Sequence, residues 1–258
     1  MTASPDPAET RRSDAQHFDP AEVDKFDALA SQWWDPKGPM APLHAQGPAR
    51  LTFLRDKLSA LRPVKAKSMT PLAGLELLDL GCGAGLVSEP LARLGAEVTA
   101  VDASAEVLAV ARAHAEAQGL AIDYRNSTAE SLVEQGASFD AVVSLEVIEH
   151  VPDPEAFVAA ATALVRPGGL LILSTLNRTA KSFAMAIVGA EYLLRWLPRG
   201  THSWRRFLKP SDLGRLLRPR GCAVTAAKGI VYNPLDQAWR LSDRDLDVNY
   251  ILAARKIP

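Results

Sequence analysis

The pattern of apolar and polar residues along the middle of the chain alternates between two kinds of segment. Short apolar runs predict buried strands at Leu75–Leu80, Glu97–Asp102, Ile122–Arg125, Phe139–Leu145 and Leu170–Thr175. Segments with apolar residues every three or four positions predict helices at Leu86–Leu94, Ala105–Gln118 and Asp153–Val165. Near the C-terminus, the runs CAVTAAKGIVYN and VNYILAA predict two further strands, which a hairpin would join. This order indicates an α/β fold with a mostly parallel, seven-stranded sheet and helices on both faces.

The segment before the first strand has a different character. Residues 1–20 are rich in Pro, Ala, Asp, Glu and Arg, which predicts a disordered tail. A helical pattern then starts at Asp24, and its apolar stripe ends at Trp33. Prolines and glycine in WWDPKGPMAPLH interrupt this pattern, and a second helix is predicted over residues 49–61. We therefore expect a helical extension in front of the sheet.

Composition excludes little. The 258 residues are 48% hydrophobic and 23% charged, with a formal net charge of −1, which is ordinary for a globular protein and favours no nucleic-acid partner. Cys82 and Cys222 form neither a disulfide framework nor a zinc spacing, so we expect both to be reduced, as in a cytosolic protein. No apolar segment resembles a signal peptide or reaches the roughly 18 residues of a membrane-spanning helix.

The first predicted strand runs into a glycine-rich loop, DLGCGAG. Its pattern is Asp79, Gly81, Gly83 and Gly85, and the second strand ends in an acid, Asp102. Loops at the carboxyl ends of parallel strands bind ligands, and glycine lets a ligand approach bare backbone. A tight turn without a ligand is the alternative. The dinucleotide fingerprint fails because its third glycine would fall at Leu86, and no phosphate-binding G-K-[ST] follows. A nucleoside ligand fits, with its ribose diol on Asp102.

This pattern resembles the class I S-adenosylmethionine-dependent methyltransferases, a family with a Rossmann-like fold. In that family the glycine loop wraps the amino-acid half of the cofactor, and the acid holds the ribose. More specifically, the blocks KFDALASQWWDPKGPMAPLHAQGPARLTFL, SLEVIEHVPDPEAF, STLNRTAKSFAMAIVGAEYLLRWLPRGTHSWRRFLKP and DVNYILAARK are similar to the ubiquinone-biosynthesis O-methyltransferases. The similarity runs from about Asp24 to Lys256. It implies methylation of a polyprenyl-hydroxyphenol early in the pathway and of demethylubiquinol at its end.

The resemblance also implies cofactor contacts. The family's positions correspond to Arg50, Gly81, Asp102 and Leu145, where relatives often have methionine. The arginine would bind the cofactor's carboxylate, and the leucine would contact adenine. The loop pattern adds Asp79, Gly83 and Gly85. One departure is the acidic stretch LSDRDLD near the C-terminus.

A cluster of polar residues follows the fourth strand in SLEVIEHVPDP. Glu146, Glu149 and His150 are spaced to share one face of a helical turn. A solvated helix start is one interpretation. A phenol titrates near pH 10, so its methylation needs a base or a metal. The family resemblance assigns these three residues to a divalent metal, with Mg²⁺ expected and Zn²⁺ or Mn²⁺ as alternatives. In the other interpretation His150 is the base, oriented by Glu146 or Glu149.

Two tryptophans precede the core. Trp33 lies on the apolar stripe of the first helix, which predicts core packing. Trp34 lies off that stripe and is a candidate lid over the site.

The segment after the fifth strand is predicted to be an amphipathic insert. Residues 178–209 contain seven basic residues and one acid, Glu191, and their apolar residues recur at helical spacing. A packed helix with a basic rim is the plain interpretation. The alternative is docking on an anionic membrane surface, where a prenylated substrate would be met. This would place the protein in the cytoplasm, on the inner face of the membrane, and a complex of quinone-biosynthesis enzymes is a further expected partner.

We therefore predict one methyltransferase domain over residues 21–258. It comprises a helical extension (21–70), a cofactor-binding core (71–176), the insert (177–210) and C-terminal strands (211–258). Methylation of another phenol, or a lipid-associated scaffold without turnover, are the alternative functions.

Overall fold

An eight-stranded mixed sheet forms the centre of the computed structural model, which describes residues 18–62, 68–185 and 204–258. The strands are β1 (Glu76–Leu80), β2 (Glu97–Asp102), β3 (Asp123–Asn126), β4 (Phe139–Leu145), β5 (Val165–Leu176), β6 (Cys222–Asn233), β7 (Ala238–Ser242) and β8 (Asn249–Lys256). Their spatial order is β3-β2-β1-β4-β5-β8-β6-β7. The first five pair in parallel, whereas β8 pairs antiparallel with β5 and β6, and β7 pairs antiparallel with β6.

Seven helices and several short turns accompany the sheet in the described ranges. The helices are α1 (Pro20–Asp27), α2 (Ala41–Leu58), α3 (Ser88–Arg93), α4 (Ala105–Ala117), α5 (Ala129–Glu134), α6 (Pro154–Ala163) and α7 (Pro210–Leu217). Short helical turns occur at Ala30–Gln32, Ala180–Ser182, Trp204–Arg206 and Arg218–Arg220. None of the described helices has both the length and the apolar character to cross a membrane.

The predicted strand count of seven is wrong by one. The additional strand is β7, which pairs only with β6, at the edge of the sheet. Its residues are half-buried or exposed, so it has no continuous apolar run to reveal it. The predicted late strands, β6 and β8, do lie side by side and antiparallel, but the hairpin joins β6 to β7.

The N-terminal helices begin earlier than predicted. Asp19 caps α1 by accepting from the amide of Ala21, and Pro20 occupies the first turn, where no amide is needed. Helix α2 starts at Ala41 instead of residue 49 and continues through Pro48. Pro48 has no backbone N–H, so one hydrogen bond of the helix is missing. The free energy gained by burying Leu54 and Leu58 on the same helix outweighs this loss.

Helices cover both faces of the sheet, as predicted. Successive side chains of a strand point to opposite faces, so Leu77 packs in one apolar core and Leu78 in the other. Residues of α2, α3 and α4 belong to the first core, and residues of α5, α6 and α7 belong to the second.

The strand order reverses between β1 and β4. Strand β1 leads outward to β2 and β3 on one side, while β4 leads to β5 on the other. Such a switch point opens a crevice at the carboxyl ends of the strands, which is where α/β proteins bind ligands. The predicted tail up to residue 17 and insert residues 186–203 lie outside the described residues. The proposed domain boundaries stay predictions.

Candidate active site

The glycine loop between β1 and α3 is packed from both sides. Gly81, Gly83 and Gly85 all have left-handed φ angles, of 77°, 53° and 89°. A Cβ atom at Gly81 would clash with Val147, and one at Gly83 would clash with the ring of Trp33, at less than 3.0 Å in each case. The backbone therefore requires glycine at these positions on conformational and steric grounds.

Asp102 fastens this loop to the end of β2. Its Oδ2 accepts a hydrogen bond from the Gly83 amide at 2.8 Å, and its Oδ1 accepts one from the Ser104 amide at 2.9 Å. Burial raises the pKa of Asp102, against the effect of these two amides. Each carboxylate oxygen has a second lone pair for a ligand hydroxyl.

Asp79 lies beneath the loop and is almost fully buried. Its Oδ2 accepts a hydrogen bond of 2.6 Å from Ser88 Oγ, at the start of α3. Burial raises the pKa of Asp79 to about 7. These contacts support the loop from below, and a direct contact with a ligand stays a prediction.

Arg50 reaches the end of β4 from the middle of α2. Its Nη2 donates to Gln46 at 2.8 Å and lies 3.1 Å from Glu146 Oε1. The Nε of Arg50 is buried and has no hydrogen-bond partner among the described residues. A buried donor without an acceptor is unfavourable, so this nitrogen fits an anionic ligand group in the crevice.

Glu146 itself is held in an uncommon conformation. Its φ angle of 58° is left-handed, and its carboxylate accepts a hydrogen bond of 2.6 Å from Ser174 Oγ on β5. Strained backbone of this kind is concentrated at functional sites. The preceding residue, Leu145, ends β4 and is half-buried against the first apolar core.

Glu149 is buried next to this carboxylate, with 4% of its surface exposed. Its Oε2 accepts a hydrogen bond of 2.9 Å from Thr175 Oγ1, while its Oε1 has no partner among the described residues. Burial, aided by the charge of Glu146, raises the pKa of Glu149 to about 7.

His150 contacts the N-terminal helix. Its Nδ1 lies 2.9 Å from Glu22 Oε2 on α1, and Phe26 packs edge-on against its ring at 5.4 Å between centroids. Burial lowers the pKa of His150, but the hydrogen bond to Glu22 and the surrounding carboxylates outweigh it, so the pKa is raised. Nδ1 of the histidine therefore contacts Glu22, a residue that the sequence analysis did not place in the site.

The predicted metal ligands are thus neighbours that are engaged separately. Ser174 and Arg50 hold Glu146, Thr175 holds Glu149, and Glu22 holds His150. No group of three His, Cys, Asp or Glu side chains in the described parts of the chain is placed to hold a metal ion. The metal site therefore stays a prediction, and we derive no step through a metal.

The tryptophans pack over the glycine loop. Trp33 is buried against Gly83, in agreement with its predicted packing role. Trp34 donates from Nε1 to the Ala84 carbonyl at 3.1 Å and stacks on His114 at 3.5 Å between ring centroids. The predicted lid residue therefore touches the loop directly.

A cavity of about 330 Å³ lies beyond Glu149, where the chain leaves β4 and β5. Apolar side chains of Ile148, Val151, Phe207 and Leu208 line it together with Glu149. The basic side chains at its wall are Arg178, Arg205 and Arg206. Its volume suits a small aromatic ring.

The acidic departure near the C-terminus has a structural explanation. Lys181, at the start of the insert, lies 2.7 Å from Asp245 and 3.5 Å from Asp247. Thr179 also donates to the carbonyl of Asp247 at 2.6 Å. The acidic loop therefore binds the first residues of the insert.

Comparisons with known proteins show the family to which the chain belongs. Residues 78–173, which span the glycine loop and β1 to β5, match the model of the methyltransferase domain family. A ubiquinone biosynthesis O-methyltransferase of Dinoroseobacter shibae is 52% identical over 94% of this chain and 98% of its own length. That of Azorhizobium caulinodans is 52% identical over 92% of this chain and 94% of its own.

The chain belongs to the ubiquinone biosynthesis O-methyltransferase family. It is therefore an S-adenosylmethionine-dependent methyltransferase, as the resemblance of its motifs predicted. Among solved structures, a magnesium protoporphyrin IX methyltransferase of Synechocystis with bound S-adenosylmethionine superposes with a TM-score of 0.59. The two sequences are 19% identical, and the superposition covers 99% of this chain and all of the other. A methyltransferase of Clostridium acetobutylicum has a TM-score of 0.59 at 14% identity, over 81% of this chain and 91% of its own. At these identities the likeness concerns the fold.

Sequence reasoning missed part of the site in this family member. Glu22, Arg206 and His114 carry no local motif, because each acts through a contact with a residue far away along the chain. Two features of the sequence could have indicated these contacts. One is the acidic segment Asp19–Lys25, and the other is the pair of basic residues Arg205 and Arg206.

Proposed function

We propose that the protein methylates a phenolic oxygen of polyprenylated catechol intermediates, in both O-methylation steps of ubiquinone biosynthesis. The observation that carries the proposal is the shared location of two sites. The glycine loop with Asp102, and the acidic cluster with His150, meet at the carboxyl ends of β1 and β4. Cofactor and phenol would therefore lie side by side.

The first site is assigned to S-adenosylmethionine, which supplies a methyl group on a positively charged sulfur. The loop of Gly81, Gly83 and Gly85 would present its backbone to the amino-acid half of the cofactor. Nε of Arg50, which has no hydrogen-bond partner among the described residues, would donate to the cofactor's carboxylate. Asp102 would accept hydrogen bonds from the ribose hydroxyls, and Leu145 would contribute apolar surface for the adenine ring. Asp79 holds the loop through Ser88.

The second site is assigned to the phenol ring. The cavity beyond Glu149 combines apolar walls with one buried carboxylate, whose Oε1 has no described partner. A catechol hydroxyl is a hydrogen-bond donor that would satisfy this oxygen. Glu149 would thus orient the ring with one hydroxyl, and the adjacent hydroxyl would become the nucleophile.

Removal of the phenolic proton is assigned to His150. The histidine lies one residue beyond Glu149, and the neighbouring carboxylates stabilise its protonated form. A divalent metal on Glu146, Glu149 and His150 stays a separate prediction. Turnover that is lost in EDTA and restored by Mg²⁺, Mn²⁺ or Zn²⁺ would establish the metal, whereas turnover that persists in EDTA supports the histidine alone.

We further assign a membrane-surface role to the insert. Phe183, Met185 and Trp204 are exposed apolar side chains at its two described ends, and Phe183 and Trp204 pack at right angles, 6.2 Å apart. Basic residues flank them, which suits anionic lipid. This supports a peripheral location on the inner face of the membrane, and a complex with other quinone-biosynthesis enzymes stays a prediction.

The test of the function is methyl transfer from labelled S-adenosylmethionine to a short-chain prenylated catechol and to a monophenol of the same size. Transfer to the catechol and little to the monophenol is expected, because only the catechol has a second hydroxyl for Glu149. Glu149→Gln should reduce transfer while S-adenosylhomocysteine affinity stays within about twofold. Equal transfer to both acceptors would refute the catechol assignment.

A further inference from the structure

A buried amide side chain lies beside Arg50. Gln46 precedes Arg50 by four positions on α2, so the two side chains are neighbours on one face of the helix. Oε1 of Gln46 accepts a hydrogen bond of 2.8 Å from Nη2 of Arg50. The same oxygen accepts one of 3.2 Å from Nδ2 of Asn249, the first residue of β8. All three side chains are buried, so the network is closed to water.

The charge of Arg50 determines the orientation of both amides. A guanidinium can only donate hydrogen bonds, so Gln46 must turn its oxygen, and not its NH2 group, toward Arg50. That oxygen in turn requires a donor from Asn249, whose own Oδ1 has no partner among the described residues. The three side chains therefore have a single consistent arrangement.

This arrangement also sets the direction of the free donor of Arg50. Its Nη2 lies within 3.1 Å of two oxygens, one of Gln46 and one of Glu146. The guanidinium is planar, so two contacts at Nη2 also limit the direction in which the N–H of Nε points. Nε is the nitrogen that has no partner among the described residues.

The neutrality of Gln46 has an electrostatic consequence. Arg50 already lies 3.1 Å from one carboxylate, that of Glu146. A glutamate at position 46 could accept the same two hydrogen bonds, but it would give the cluster two carboxylates for one guanidinium. A further anion would then be repelled, because charges this close interact strongly away from water. The neutral amide orients Arg50 without adding this repulsion.

We propose that Gln46 is a positioning residue for cofactor binding, which orients the guanidinium of Arg50 through a neutral acceptor and leaves its charge available for the cofactor's carboxylate. The proposal rests on the assignment of Arg50 to that carboxylate in the proposed function. The plainer alternative is that Gln46 and Asn249 only attach α2 to β8.

Two ligands distinguish these roles in titration calorimetry. S-adenosylhomocysteine carries the carboxylate, whereas 5′-methylthioadenosine has the same nucleoside without the amino-acid half. Gln46→Glu, which keeps the size and the acceptor oxygen, should weaken S-adenosylhomocysteine binding about tenfold or more, the scale of a lost hydrogen bond to a charged group. Its affinity for 5′-methylthioadenosine should be unchanged. The matched control is Ala45→Glu, which adds the same charge at the neighbouring exposed position and should bind both ligands like the wild type.

A second variant removes the acceptor without adding charge. Gln46→Met should also weaken S-adenosylhomocysteine binding and spare 5′-methylthioadenosine, which keeps the test decisive if the buried glutamate prevents folding. Arg50→Met should lose more affinity than Gln46→Met. The double variant should bind no more weakly than Arg50→Met alone, because Gln46 acts only through Arg50.

Several outcomes would overturn the proposal. These are wild-type affinity for S-adenosylhomocysteine in the Gln46 variants, an equal loss for both ligands, or an equal loss in Ala45→Glu. Unchanged affinity in Arg50→Met would overturn it together with the assignment of Arg50. None of these measurements uses a phenol, so a wild type that fails to methylate a catechol would refute only the proposed reaction.

Discussion

Gly83→Ala is the substitution for which the structure makes the most detailed prediction. Two separate penalties apply at this position. The φ angle of 53° is left-handed, which costs an L-residue about 1–2 kcal/mol. In addition, the new Cβ would overlap two ring atoms of Trp33, so the indole must move.

The second penalty can be estimated from the burial of Trp33. Only 8% of its surface is exposed, and a buried tryptophan covers roughly 150–250 Å². If about a third of this area returns to water, the loss is about 1–2 kcal/mol at roughly 25 cal/mol per Å². Gly83→Ala should therefore lower the free energy of unfolding by about 2–4 kcal/mol.

The chain provides a control for the backbone penalty alone. Gly119 also has a left-handed φ, of 66°, but an added Cβ would meet no atom within 4 Å. Gly119→Ala should consequently cost only about 1–2 kcal/mol. The difference between the two variants isolates the clash with Trp33.

A double-mutant cycle tests the same argument from the other side. Trp33→Ala alone should cost about 3–5 kcal/mol, but it makes room for a Cβ at Gly83. The double variant should then be more stable than the sum of the single effects by about 1–2 kcal/mol. The assay is urea denaturation followed by far-UV circular dichroism. Strict additivity, or a Gly83→Ala cost no greater than that of Gly119→Ala, would refute the placement of Trp33 on the loop.

Three further predictions concern the cofactor, pH and lipid. Asp102→Ala should weaken S-adenosylhomocysteine binding at least about tenfold, or 1.4 kcal/mol, in calorimetry, and unchanged affinity in a folded variant would contradict its ribose role. Because burial raises the pKa of Asp79 from 3.8 to about 7, its contribution to stability is present below pH 3.8 and lost as pH rises through about 7. In urea denaturation, Asp79→Asn should therefore become more stable than the wild type as the pH rises from about 4 to about 8, by up to about 4 kcal/mol. A stability difference between the two proteins that does not change with pH would argue against the raised pKa of Asp79. The double variant Phe183→Ser with Trp204→Ser should reduce co-sedimentation with phosphatidylglycerol liposomes. The control is Leu235→Ser, at a 94% exposed leucine in the β6–β7 turn, which should leave co-sedimentation unchanged. Equal effects of the double variant and the control would contradict a membrane role of the insert.

The sequence by itself determined the parts of the protein that depend on neighbours along the chain. Apolar runs and helical spacing located β1 to β5 with α3, α4 and α6, because side-chain periodicity is a local consequence of strand and helix geometry. The short helix α5 between β3 and β4 was not predicted. The spacing from Asp79 through the glycines to Asp102 was equally local, since it describes one strand–loop–helix–strand unit. The resemblance to the methyltransferases started from that spacing, and it predicted cofactor contacts at Arg50 and Leu145.

Only the tertiary structure decided which distant side chains meet at the carboxyl edge of the sheet. Strand β7 escaped detection because an edge strand buries too little to show a pattern. Glu22 reaches His150, and Arg50 reaches Glu146, across long stretches of chain. These contacts form because α1 packs against α4, and α2 packs on one face of the sheet near β6 and β7. The distribution of partners among Glu146, Glu149 and His150 likewise depends on Ser174, Thr175 and α1, whose approach no local spacing encodes. Contacts of this kind leave no periodic signal, since the free energy that fixes them comes from burying whole elements against one another.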